Sequence, residues 1–313
     1  MQNNSVLLAD IGATNARLAF TLEGKNYLSP KEYKIKEFSS LHDLCSNYIK
    51  NLSEKISITK AVIGVAAPVT KDLVSFVNID FNFSQKKIKK DLFPDGLVVL
   101  NDLALQAHAL EGLPSEGIIN IGRLVTPGEG PKILVIPGTG LGLAGIVSEN
   151  IISSEAGHIE IPGTLDNEDI RKVIDIFKKK NDQIPTFEDL LSGRGINIIY
   201  NYLSGGQDFN MLDNNIFASN DKYSKLTSSL FVNLFAIYLR NMALTWGATG
   251  GVYISGNIVN SMIQNLDQVK FRRIFEESKT MQEMLISTPI YFIKNKDLGF
   301  RGGLTIMSKD STI

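Results

Sequence analysis

The chain is 313 residues long, about twice the size of a common domain, so two lobes are expected and a peptide-sized binding module is excluded. Apolar residues at 43% and charged residues at 21% leave little room for extensive disorder. With 32 basic against 33 acidic residues the formal charge is -1, so no overall positive field exists to hold a nucleic-acid backbone or an anionic membrane.

The opening MQNNSVLLADIG has no basic segment before its short apolar run and soon meets Asp10, so it does not resemble a secretory signal and the cytoplasm is the expectation. The single cysteine, Cys45, can form neither an internal disulfide nor a multi-thiolate zinc site, in keeping with a reducing compartment.

In chain order, VLLADIGATNARLAF sets two apolar runs around a connector of Gly12, Ala13, Thr14 and Asn15 and predicts a hairpin. KEYKIKEF at 31 to 38 predicts a third strand, and Leu41, Leu44, Tyr48 and Ile49 then recur at helical spacing. AVIGVAAPV at 61 to 69 reads as a buried strand turned aside at Pro68, and LVSFVNIDFNF as a hairpin or an extended loop. KKIKKDLF predicts a short helix, LVVL at 97 to 100 a strand, and DLALQAHALEGL a helix with Asp102 as a candidate cap. This alternation is that of an α/β layer whose strands need helices to cover them.

At KILVIPG, 132 to 138, the pattern begins again: GTGLG sits between two apolar runs as GATN does near the start, which predicts a duplicated lobe. The middle of this second half is helix-rich, interrupted by segments such as LSGRGIN and LSGGQDFNMLDNN. Leu226, Leu230, Leu234 and Tyr238 predict a long helix over 222 to 246. Its most apolar stretch, the ten residues at 230 to 239, ends at Arg240, well short of the roughly 20 residues of a membrane span. GGVYISGNI reads as a strand between glycine-rich turns, and DLGFRGGLTIMS as a final turn and helix. The expected division is a small lobe over 1 to 105, rejoined by 295 to 313, and a large lobe over 106 to 294.

Several residues could carry chemistry. Asp10 followed by GATN can place a carboxylate, suited to a cation, beside a turn whose amides and Thr14 hydroxyl face phosphate; the plain alternative is a polar turn without ligand. Gly138, Thr139, Gly140 and Gly142 form a second candidate cradle on the same terms. Neither matches the P-loop, and no dinucleotide-type glycine motif follows the first strand. Asp102, beside Asn101, can take the proton of an attacking hydroxyl or cap its helix. Glu155 and His158 can hold polyol hydroxyls or stabilise their own loop, and without an HExxH pattern they do not specify a metal. Asn78, Asp80 and Glu188 are open to the same two readings, ligand contact or turn and cap. The basic runs KKIKK and RKVIDIFKKK read as solvated helix faces rather than a nucleic-acid surface.

Taken in order, LLADIGATNARLAF, VAAPV, VLNDLALQA, PGTGLG, SEAGHIEIP, FEDLLSGRG, GGVYISGNIV and LGFRGG make the chain resemble the bacterial glucokinase family over about residues 6 to 306. That family lies within the group of sugar kinases, actins and heat-shock ATPases. The resemblance implies a two-lobed actin-like ATPase fold with duplicated ribonuclease-H-like domains. It also implies phosphorylation of the 6-hydroxyl of glucose by ATP, with Mg2+ bound through the nucleotide phosphates.

By resemblance, Asp102 is the catalytic base. Asn101, Asp102, Glu155, His158 and Glu188 hold sugar hydroxyls, with Asn78 adding a contact. Asp10, Gly12, Ala13, Thr14 and Asn15 form the first phosphate loop, Gly138, Thr139 and Gly140 the second, and Asp10 could reach magnesium through water. A homodimer is implied, with neither nucleic acid nor membrane as partner. Ala13 stands where the family has a second glycine, and SGN at 255 to 257 where it has alanine and two glycines. A kinase for mannose or fructose, or an inactive sugar-binding regulator, are the competing readings.

Overall fold

The structure, a computed structural model, describes residues 5–52, 56–76, 79–163, 167–206 and 213–309. Contacts divide the chain into one unit that runs to Pro114 and resumes at Asp297, and a second, Ser115–Lys296.

In the first unit, β1 (Val6–Ile11), β2 (Asn15–Thr21) and β3 (Leu28–Lys34) form an antiparallel meander. The third strand ends before residue 38: buried Ile35 donates its N–H to the Thr14 carbonyl and begins a 3-10 turn, Ile35–Glu37. Then come α1 (Leu41–Lys50), β4 (Lys60–Val65), the short strands β5 (Leu73–Val74) and β6 (Phe83–Ser84), α2 (Gln85–Asp91), β7 (Gly96–Asn101) and α3 (Asp102–His108). β5 and β6 pair antiparallel, and Asn78, between them in sequence, lies outside the described residues. The main sheet has the order β3-β2-β1-β4-β7, with β4 parallel to both β1 and β7.

Strand alternation divides this unit's interior in two. Leu7, Ala9 and Ile11 pack with Leu41, Leu44 and Tyr48 of α1, whereas Val6 and Leu8 pack on the opposite face with Leu105 of α3. Asp10 shares the parity of Val6 and Leu8, so its carboxylate emerges on the α3 side of the sheet, at the end of the strand.

The second unit opens with β8 (Ile118–Asn120), β9 (Lys132–Pro137), β10 (Leu141–Val147) and β11 (Asn150–Ser154). Helices follow: α4 (Glu168–Asn181), α5 (Phe187–Leu190), α6 (Gly193–Leu203), α7 (Asp213–Ala218) and α8 (Lys222–Trp246). LSGRGIN opens α6 rather than interrupting the chain. Ser192 accepts the Gly195 N–H as N-cap, and a side chain at 195 would collide with the backbone of Leu190. The long apolar helix is α8, stopped by Gly247 in the left-handed region at φ 58°. β12 (Gly251–Ile254), α9 (Asn257–Ile263), α10 (Gln268–Phe275), α11 (Gln282–Ile286) and β13 (Ile290–Ile293) complete the unit.

Its sheet runs β11-β10-β9-β12-β13-β8. Without the edge strand β8, order and directions repeat those of the first unit: an antiparallel meander, then two parallel strands. In that correspondence Gly138, after β9, stands where Gly12 stands after β1.

The chain then returns to the first unit as α12 (Leu298–Lys309), whose Phe300 and Ile306 join Val6, Leu8 and Leu105. The first unit extends past the expected break at residue 105 to Pro114 because α3 and the turn after it lie against α12. Gly302 permits this packing, since a Cβ there would overlap the Leu105 carbonyl. Among the described residues no helix is long and apolar enough to cross a membrane.

Candidate functional site

The two glycine turns lie at corresponding places in the two sheets, after β1 and after β9, while the other candidate residues come from elements that do not correspond. In the first unit, Gly12 N–H donates to the Asn15 carbonyl at 2.9 Å and closes the β1–β2 turn. Ala13 is half-buried, and Thr14 is exposed at the tip. Asn15 is less open than its sequence position implies, because its Oδ1 accepts from Lys34 Nζ at 2.6 Å.

Behind the turn, Gln106 Nε2 donates to Asp10 Oδ2 at 3.4 Å, and Gly299 of α12 packs so closely that a Cβ there would lie 2.7 Å from that oxygen. Burial first, and the negative charge of Asp102 second, push the Asp10 carboxyl up to about 7; Arg17 and the Gln106 amide pull the other way. Asp10 and Asp102 are thus two carboxylates close enough to influence each other's charge.

Asn101 and Asp102 sit where β7 passes into α3. The cap is Asn101 rather than Asp102: its Oδ1 accepts from Leu103 N–H at 3.0 Å and Ala104 N–H at 3.2 Å. Asp102 is the first helical residue, half-buried, and its Oδ1 accepts from Leu103 N–H at 2.9 Å. The neighbouring Asn101 side chain thus carries the capping role and relieves the Asp102 carboxylate of most of it.

In the second unit, Gly138 N–H donates to the Gly140 carbonyl at 2.7 Å, with Thr139 exposed at the tip, and the Gly138 carbonyl accepts from Gly193 N–H at the start of α6. Glu188, on α5, lies under this turn. Its Oε2 accepts from Leu141 N–H at 2.9 Å and lies 2.6 Å from where a Gly140 Cβ would stand. The α5 turn is fixed by a capping box in which Thr186 and Asp189 satisfy each other's backbone N–H groups.

Glu155 precedes and His158 ends the 3-10 turn Ala156–His158, their Oε2 and Nε2 3.9 Å apart and both side chains largely exposed. Two contacts tie this turn to Glu188. The Ile159 carbonyl accepts from Phe187 N–H at 2.9 Å, and Gly157 lies against the Leu141 carbonyl so closely that a Cβ would collide with it. Leu141 therefore joins the parts, with its N–H on Glu188 and its carbonyl against the Glu155–His158 turn.

Each unit thus gathers its own candidates: Asp10, the 12 to 15 turn, Asn101 and Asp102 in one; the 138 to 140 turn, Glu155, His158 and Glu188 in the other. Some neighbours have no counterpart in the expectations. Gln106 is one, although its place four residues after Asp102 on α3 put it on the same helical face. Tyr238 is another: its ring packs on Phe187 with centroids 5.0 Å apart, its buried hydroxyl has no partner among the described residues, and burial followed by the charge of Glu188 pushes its pKa up. Among the described residues no cluster of three or more His, Cys, Asp or Glu could hold a metal alone.

A model of the Glucokinase family matches residues 7–310. The chain is 31% identical to the glucokinase of Colwellia psychrerythraea, over 97% of this chain and 96% of that one. The solved glucokinase of Balamuthia mandrillaris in complex with glucose superposes with a TM-score of 0.82 at 18% identity, over 97% of this chain and 93% of that one. A ROK family glucokinase from Streptomyces griseus, solved with glucose and AMPPNP, gives 0.67 at 16% identity, over 98% and 100%. These likenesses, with the repeated sheet order, assign the actin-like ATPase fold.

Proposed function

Given that this chain belongs to the glucokinase family, we propose that it transfers the terminal phosphoryl group of ATP to the 6-hydroxyl of D-glucose, giving glucose 6-phosphate and ADP. The observation that carries the catalytic assignment is the division of labour at the start of α3, where Asn101 caps the helix and Asp102 offers a carboxylate beside Asp10.

In this reading Asp102 orients the sugar hydroxyl and accepts its proton as the bond to phosphorus forms, while the bond from phosphorus to the leaving oxygen of ADP breaks. No phosphorylated enzyme is required. With Oδ1 committed to the helix, Asn101 meets a hydroxyl through its NH2 group. Glu188 spends Oε2 on Leu141 N–H and accepts from a hydroxyl through Oε1, so sugar contact and the shape of the 138 to 140 turn are linked through one carboxylate. Glu155 and His158 take further hydroxyls; Asn78 is assigned the same role by resemblance alone. The Gly12 to Asn15 and Gly138 to Gly140 turns present backbone N–H groups, with the Thr14 and Thr139 hydroxyls, to nucleotide phosphates.

The raised Asp10 carboxyl next to Asp102 suits a cation, and with no cluster of three ligands among the described residues, magnesium would be held mainly by phosphate oxygens with Asp10 reaching it through water. Bound there, the ion supplies neutralising charge for the phosphates. The reading includes a homodimer in the cytoplasm, for which sedimentation of the purified chain is the test.

The decisive assay offers magnesium-ATP with a panel of glucose, mannose, fructose and no sugar, and identifies the product. Glucose 6-phosphate as the main product is the expected result. Preferred turnover of mannose or fructose, or sugar binding without any phosphorylation, overturns the assignment.

A further inference from the structure

Tyr238 of α8 is fully buried, and its hydroxyl has no hydrogen-bond partner among the described residues. A ring that only fills the core does so equally well as phenylalanine, so an unpaired phenol there is a cost that packing does not explain.

Its surroundings point to one acceptor. The ring packs on Phe187, with centroids 5.0 Å apart and planes tilted by 54°, and Phe187 immediately precedes Glu188 on α5. Among the described residues Glu188 is also the one charged group that acts on the hydroxyl. Burial first and that charge second hold the phenol's pKa above its ordinary value, so the group stays a donor at neutral pH.

Glu188 has matching capacity. Its Oε2 accepts from Leu141 N–H at 2.9 Å and lies 2.6 Å from where a Gly140 Cβ would stand, whereas Oε1 lies 3.6 Å from that point, turned away from the glycine turn. An ionised carboxylate oxygen can accept from more than one donor. The side chain is half-buried, so solvent reaches the carboxylate in the free chain. A sugar covering it excludes that solvent, and a carboxylate in a drier setting draws more strongly on any protein donor within reach.

We propose that Tyr238 is a positioning residue for the sugar: its hydroxyl donates to Glu188 Oε1 once a sugar hydroxyl occupies the same carboxylate, which fixes that carboxylate between Leu141 and the sugar. This rests on the sugar-binding role proposed for Glu188. Tyr238 does not touch the sugar and acts through Glu188 alone. Its hydroxyl is a cost in the free chain and a gain in the bound one, so removing it separates binding from folding.

Calorimetry and steady-state kinetics with glucose on the full chain test this with the parent, Tyr238→Phe, Glu188→Ala and the double variant. Tyr238→Phe should weaken glucose binding at least about threefold and raise KM for glucose in step, with kcat within about twofold of the parent's and the sugar-free Tm equal or higher. In the Glu188→Ala background, read at correspondingly higher glucose, the same change should alter affinity by less than about twofold, because the acceptor is gone. A Tyr238→Phe loss of less than about threefold overturns the proposal, as does a loss accompanied by a lower Tm, which a purely structural hydroxyl produces, or one that persists undiminished without Glu188. A parent that neither binds nor phosphorylates glucose overturns the sugar-kinase reading beneath it. A parent that does both, beside a Tyr238→Phe variant that matches it, overturns only the role of Tyr238.

Discussion

The two glycine turns repeat each other in topology and differ in what holds them. Each follows the strand that joins its antiparallel meander to the parallel strands, β1 or β9, and closes on a glycine N–H, Gly12 to the Asn15 carbonyl and Gly138 to the Gly140 carbonyl. The first has its carboxylate in the strand just before it, Asp10, packed against α3 and α12 and influenced by Asp102. The second has no acid in its strand; a distant helix supplies Glu188, whose Oε2 fixes the backbone at Leu141. Duplication supplies two similar loops, and the side chains brought beneath them give one a pair of neighbouring acids and the other a carboxylate tied to its backbone.

The largest effect should come from breaking the acidic pair. Asp102→Asn keeps volume and removes the proposed base, so turnover on glucose should fall at least about a hundredfold while glucose affinity changes little. Because the Asp102 charge helps to raise the Asp10 carboxyl, the same variant should lower the Asp10 pKa from about 7, as followed by carboxyl NMR. Near-parental turnover would remove Asp102 as base, and an unmoved Asp10 would deny the coupling.

Next comes a matched pair of substitutions. A methyl at Gly140 would stand 2.6 Å from Glu188 Oε2, so Gly140→Ala must displace that carboxylate from Leu141; a methyl at Gly12 meets only the Asn15 carbonyl, at 3.1 Å. Steady-state kinetics should show kcat/KM for glucose about tenfold lower in Gly140→Ala and less than about threefold lower in Gly12→Ala, a tenfold change corresponding to about 1.4 kcal/mol. Equal losses would erase the distinction between the turns.

Much of the first level of this organisation was legible in sequence. VLLADIG and NARLAF alternate around GATN, and Leu230, Leu234 and Tyr238 follow helical spacing, because hairpin and amphipathic helix are local and write their period into neighbouring residues. The edge strands β8 and β11, and the short β13 inside β8, left little trace: Ile118–Asn120 is only three residues long, and the flanking glycines and serine mask its alternation. Asp102 itself was legible, but its candidate capping role belongs to Asn101, since adjacent Asn and Asp compete for the same amides and backbone geometry decides between them. The links that give the site its character were not legible. Gln106 reaches Asp10 across 96 positions and Glu188 reaches Leu141 across 47, distances closed by the β1, β4, β7 register and by the packing of α5 on α6 and on the Ala156–His158 turn.

A third way to sharpen the comparison uses pH. The Asp10 carboxyl, at about 7 when folded against an ordinary 3.8, holds a proton that the unfolded chain has released between those values. The folded state binds more protons there, so this group's contribution to stability falls as pH rises through that window. Asp10→Asn removes the titration. Its Tm should exceed the parent's by roughly 5 °C at pH 8 without nucleotide, with the gain vanishing toward pH 4. A Tm difference independent of pH would show that Asp10 carries no such strain.

The smallest effect is expected at Lys34, whose Nζ donates to Asn15 Oδ1 at 2.6 Å on an exposed edge of the first turn. Asn15 and Lys34 are also backbone partners across β2 and β3, so the ladder positions the turn without help from the side chains. An exposed contact of this kind contributes less than about 1 kcal/mol. Lys34→Ala should therefore shift Tm by no more than about 2 °C and KM for ATP by less than about twofold. A large rise in KM for ATP in the variant, together with a parental KM that climbs with added salt more steeply than the variant's, would instead place the Lys34 charge on the nucleotide phosphates. The first turn would then bind through a side chain as well as its backbone, and would differ from the second in phosphate contact as well as in the acid behind it.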